Sequence, residues 1–206
     1  MSVVDAVGWI AALSSASLAV PQGMRIAVTR SVAGVSTVAW QTMLIAGLAW
    51  TSHGLLNGTP QIIWPNALLA VTSAWVLWQL GVARRLPWAR TWALPVAVAG
   101  LAFAADLSLG PIGFAAVAFV PGAIGQLCQL REILGTPDPA GVSMVGLVLS
   151  LANQVLWLGY ALPAREIAVL CVCLPIGVLV TASVIALRRR RSRVSIALPA
   201  PAPAAT

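Results

Sequence analysis

Apolar residues in this chain neither alternate nor form one stripe per helix; they come in long runs. A membrane-crossing helix needs about 20 mostly apolar residues. Seven runs approach or meet that length: residues 6–24, 34–55, 61–82, 92–105, 111–130, 141–162 and 167–187. The fourth is short and built of small residues. Such a pattern predicts an all-α integral membrane protein with seven transmembrane helices. Asp5 stands ahead of the first run with no basic segment before it, so that run reads as helix one and not as a cleaved signal peptide.

Composition sharpens this. Hydrophobic residues make up 60% of the chain, charged residues only 8%, and the mean hydropathy is +0.94. Soluble domains carry about 25% charged residues. The net charge of +7 would suit nucleic acid, but the arginines sit between apolar runs and in the tail, as they do in cytoplasmic membrane loops. No nucleic-acid partner is expected. Cys128, Cys171 and Cys173 lie in or near apolar runs and read as buried thiols, not as a disulfide framework.

The arginines also set an expected orientation. Arg25 and Arg30 follow run one; Arg84, Arg85 and Arg90 follow run three; Arg131 follows run five; Arg188 to Arg191 and Arg193 follow run seven. The opposite loops hold only Arg165 beside Glu166, with Asp106 and His53. All the basic clusters fall on one side, which puts the N-terminus outside and the C-terminus in the cytoplasm of a multi-pass cell-membrane protein. The tail, 188–206, changes from arginine-rich to Pro-Ala-rich and is expected to be disordered. Its arginines face an anionic leaflet, which makes membrane lipid a partner.

An internal repeat runs through the chain. Ala33-Gly34-Val35-Ser36 recurs as Ala140-Gly141-Val142-Ser143. In the same ungapped register Trp50 falls on Trp157, His53 on Tyr160 and Leu44 on Leu151. Runs one to three therefore match runs five to seven, with run four the odd helix between them. An odd linker gives both units the same membrane orientation. The expected division is 1–82 for the first three-helix repeat, 83–106 for a basic linker and the fourth helix, 107–187 for the second repeat, and 188–206 for the tail.

The stretch from Leu18 to Ser36 carries Pro21-Gln22, Arg30-Ser31 and Gly34-x-Ser36 at the end of the first run. That ordered set resembles the PQ-loop motif of the PQ-loop, SWEET and SemiSWEET transporters, and the resemblance covers roughly residues 5–187. It implies two parallel three-helix bundles joined by a linker helix, a 3+1+3 arrangement. It also implies gating prolines: Pro21 with Gln22, Pro121 and Pro139 match three of the family's four positions. The helix-two position is Val32, and Pro121-Gly122 stands where the motif has Pro-Gln.

Polar side chains within apolar runs are costly and usually face a bundle interior or a wet cavity. Gln41, Thr42, Asn66, Asn153 and Gln154 stand out on that ground. The resemblance places an asparagine on helix three and another on helix seven. Asn66 matches the first; the second position is Cys173, and Asn153 on the neighbouring run stands as a replacement amide. Trp50 and Trp157 complete the expected solute site of Asn66, Trp50, Trp157, Asn153 and Cys173. An indole face stacks on a pyranose and a carboxamide both donates to and accepts from hydroxyls. Glue between helices is the second reading for Asn66, after the pocket, and the tryptophans read at least as well as packing or interface anchors.

The resulting expectation is a transporter of a small polar solute, foremost a sugar, working by alternating access. Asp5, Asp106, Glu132, Asp138 and Glu166 all fall near run ends or in loops, so no buried proton-coupling carboxylate is expected. A neutral amino acid or another metabolite is the alternative solute, and a non-transporting receptor or scaffold the alternative class. No Ser/His/Asp, Cys/His or paired-acid constellation points to an enzyme. A lone histidine makes no metal site, no cofactor is expected, and with no lysine there is no Schiff base for retinal. Homo-oligomerisation stays open.

Overall fold

The computed structural model describes residues 2–16, 20–32, 35–135 and 142–197. Every regular element among them is a helix: α1 (Val3–Ala16), α2 (Val20–Thr29), α3 (Thr37–Asn57), α4 (Pro60–Arg84), α5 (Trp88–Gly135), α6 (Met144–Ala164) and α7 (Ile167–Ala197). Four of them, α4 to α7, are long and apolar enough to cross a membrane. Large apolar side chains also cover the outside: Leu94, Val96, Leu101, Val155 and Val178 are all exposed. This is an all-α, multi-pass membrane protein.

The elements follow the expected runs with some differences. The first run is helical on both sides of residues 17–19, which lie outside the described residues, and Pro21 falls in the second of these stretches, α2. Runs four and five are, as expected, two helical arms, together labelled α5, that meet at a kink at Gly110, where φ is 70° and ψ −163°; the first arm extends past run four to residue 109. Glycine alone adopts that backbone cheaply, and Pro111 then opens the second arm. The arms are residues 88–109 and 111–135. α3 carries Gln41, Thr42, Thr51, Ser52, His53 and Asn57 and is not among the four apolar spans. Its Thr42, Thr51 and Ser52 hydroxyls all donate to carbonyls one turn back, which satisfies them within the helix.

The arginine-rich start of the tail is also helical. α7 continues through Arg188 to Arg191 and ends at Ala197. Arginine is a good helix former, and two of these side chains are anchored: Arg190 donates to Leu134 O at 3.0 Å and Arg191 to Val142 O at 2.6 Å. The expected disorder therefore does not begin at 188. Residues 198–206 lie outside the described residues, as do Pro139 and the Ala33-Gly34 and Ala140-Gly141 copies of the repeat signature.

The repeat register reappears in the elements. α3 and α6 are both 21 residues long and begin at Thr37 and Met144. Ser36 caps α3 by accepting from Ala39 N at 3.2 Å, and Ser143 caps α6 by accepting from Gly146 N at 3.1 Å. Both helices end on a residue of positive φ, Gly58 and Arg165. Arg84 donates to Val35 O at 2.7 Å, as Arg191 does to Val142 O. Thr59 and Glu166, the residues that open α4 and α7, bond to each other at 3.3 Å, which joins the two helix turns at one end of the molecule. The arginine contacts stand at the other end.

Packing follows the same rule. α4 lies against both α1 and α3, and α7 against both α5 and α6. The two sets meet where α1 packs on α6 and α3 on α5. Buried clusters that draw on both sets, around Phe114 and around Ile62 and Tyr160, lie toward the Thr59–Glu166 end. Toward the arginine end the clusters around Leu77 and around Ile133 stay within one set.

Candidate functional site

A cavity of about 390 Å³ opens between the two sets of helices. α3, α4, both arms of α5, α6 and α7 form its wall. Residues separated by the repeat register face it in pairs: Trp50 with Trp157, Ile62 with Val169, Asn66 with Cys173, and Leu69 with Ile176. Their helices place them so because side chains three or four residues apart share one helix face. Ile62, Asn66 and Leu69 are such a face of α4; Val169, Cys173 and Ile176 are its counterpart on α7.

All five expected solute-site residues, Asn66, Trp50, Trp157, Asn153 and Cys173, line this one cavity. Pro121 lines it too. Gln22 lies beside Pro21 in α2. Asn66 is half-buried, and its Nδ2 donates to Ile62 O at 2.8 Å, within its own helix. Asn153 Nδ2 donates to Ser14 Oγ at 2.6 Å and Ala11 O at 3.3 Å, so this amide also ties α6 to α1. Gln41 takes no part in the cavity; its Nε2 donates to the Arg90 and Thr91 carbonyls at the head of α5.

Two further amides line the cavity, Gln126 and Gln154. Each has a buried Oε1 with no hydrogen-bond partner among the described residues. An unpartnered buried acceptor costs about 1–3 kcal/mol, and turning either carboxamide toward the cavity exposes its oxygen to a donor there. Gln154 fits because the small residue has changed sides. In the first set Gly47 lets Ala70 come close: a Cβ on Gly47 would stand 2.6 Å from Ala70 N. In the second set the glycine is on α7, where a Cβ on Gly177 would meet Gln154 Cβ at 3.7 Å. Sequence reading passed over Gln126, although it is a lone amide inside an apolar run, the same signal that picked out Asn66.

The lining holds no Asp, Glu, Arg or His among the described residues. Two rings of the cavity wall make matching edge contacts behind it. Trp50 meets His53 at 5.7 Å and 88°, and Trp157 meets Tyr160 at 6.0 Å and 78°. Trp50 also meets Phe114 edge-on, with centroids 4.9 Å apart.

One sequence expectation is overturned here. Asp106 is neither in a loop nor at a solvated edge. It lies inside α5 and is 8% exposed. The first arm runs on to Leu109, so Asp106 is carried into the packed interface with α3. There it meets His53 Nδ1 at 2.6 Å. The protein does hold a buried carboxylate, behind Trp50 and outside the cavity lining. The three cysteines form no disulfide; Cys128 and Cys171 are exposed and Cys173 is buried. No group of three metal-ligating side chains occurs among the described residues.

No protein-family model matches the chain, and no characterised protein matches its sequence.

Proposed function

We propose that the protein is a membrane transporter for a small, neutral, hydrogen-bonding solute, foremost a sugar, built on the 3+1+3 arrangement of the PQ-loop and SWEET transporters. The observation that carries this reading is the cavity between two sets of helices, faced by residue pairs in the repeat register. The matched neighbours of α4 and α7, with the first arm of α5 left over as a linker, support the arrangement. Packing between the sets at the Thr59–Glu166 end and within each set at the arginine end fits this reading, as the arrangement of an alternating-access transporter closed at the first end. By the arginine distribution the closed end is external and the C-terminus cytoplasmic.

The lining distinguishes solute classes. A zwitterionic amino acid would bring two charges into a site with no charged partner, an expensive transfer. A sugar brings hydroxyls that donate to Gln126 Oε1 and Gln154 Oε1, and a ring face that stacks on Trp50 or Trp157. The test is uptake into proteoliposomes of labelled glucose and sucrose beside labelled leucine and glutamine. Sugar uptake above that of protein-free vesicles is expected, reduced about 2- to 10-fold by Trp50→Ala or Trp157→Ala, the value of one aromatic contact. Leucine or glutamine moving in place of sugar would replace the solute. No movement of any of the four would remove the transport reading.

A further inference from the structure

His53 and Asp106 are both buried, with side chains 1% and 4% exposed, and contact each other. The imidazole is sandwiched by its surroundings. Its Nδ1 meets Asp106 Oδ2 at 2.6 Å on the first arm of α5. Its face stacks on Phe114 of the second arm, with centroids 4.3 Å apart and planes 13° apart. Its edge meets Trp50, which lines the cavity. Nε2 is buried with no partner. Asn57 Nδ2 stands 3.3 Å from Nδ1 and also donates to His53 O. Gly110, the break between the two arms, follows Asp106 by one helical turn.

We propose that this pair is a proton-binding site that fastens α3 to α5 at the closed end of the cavity, and that release of its proton lets that end part. The reason is a count of charge. With one proton between the imidazole and the carboxylate beyond the Nδ1–Oδ2 contact proton, the pair is neutral overall. Without it, the pair carries one net negative charge among Phe114, Trp50 and alanines. A buried net charge with no counterion is costly unless water reaches it. Water reaches it only if α3 and the second arm separate. The proton in question belongs to the pair and not to either residue alone.

The neighbours supply no counterion. On α7, Glu166 accepts from Thr59, and Cys173 lines the cavity. On α6, Tyr160 packs beside Ile62 and Arg165 is exposed at the helix end. On α1, Asp5 accepts from Gln61. The charged groups of α4 and α5 other than Asp106 stand at the arginine end, with Arg84 bonded to the segment before α3. None of these is hydrogen-bonded or ion-paired to His53 or Asp106 among the described residues.

His53 is the only histidine in the chain, which makes the test direct and independent of any solute. Full-length protein labelled with ¹⁵N-histidine in lipid nanodiscs gives one pair of ring-nitrogen signals. Those signals are expected to change as the pH is raised, reporting loss of a ring proton. Spin labels at Leu56 and Ile112, with Cys128 and Cys171 replaced by serine, report the α3–α5 separation in the same nanodiscs. A lengthening on the order of 5 Å is expected at the high-pH end. Asp106→Asn, which leaves no net negative charge when the imidazole is neutral, is expected to hold the short distance at the high-pH end. Ring signals that stay unchanged in the native protein overturn the proposal without any variant. So does a titrating ring with an unchanged distance, and so does an Asp106→Asn protein that still opens with pH.

Discussion

Replacing Asn66 with leucine separates two roles for the residue. Asn66 lines the cavity, and its one described hydrogen bond is to Ile62 O, one turn back on α4. It makes no described bond to another helix. Leucine keeps the approximate volume, is cheaper than asparagine in lipid, and removes only a local bond worth about 0.5–1.5 kcal/mol net. Thermal stability in detergent should therefore change little. A solute that bonds to the carboxamide loses its partner, at about 1–3 kcal/mol. That is roughly a 5- to 150-fold loss of affinity. The assay is paired: equilibrium binding of the transported sugar to purified protein, and the melting temperature of the same sample. A large drop in melting temperature with affinity intact would refute the argument and return Asn66 to the role of interhelical glue.

The remaining predictions concern the architecture. Ser36→Ala and Ser143→Ala should each cost about 0.5–2 kcal/mol by chemical or thermal unfolding, since each removes an N-cap; a cost at one site only would break the equivalence of α3 and α6. Gly47→Leu should destabilise by about 1–3 kcal/mol or more, because Ala70 backbone occupies the space a side chain needs; unchanged melting would refute the close approach. A reporter domain fused after Ala186 should read as cytoplasmic, and activity only on the exterior would reverse the orientation drawn from the arginines.

Much of this protein was legible before any coordinates. Long apolar runs leave no choice but helices, since a backbone in lipid must satisfy its own hydrogen bonds. The repeat register was readable because Trp50 and Trp157 are rare residues in an otherwise degenerate apolar background. Asn66 was readable because a lone amide in such a run needs a reason. Other features were not. The helical start of the tail depends on Arg190 and Arg191 reaching carbonyls far away in sequence. Asp106 looked like a loop acid because hydropathy sees one residue at a time. Its burial depends on His53 arriving from α3 to meet it. Sequence by itself determines which segments enter the apolar phase, because that is a sum over neighbouring residues. Which polar groups are buried, and with whom, is decided only when the helices pack, because each such group is stable only opposite a partner distant along the chain.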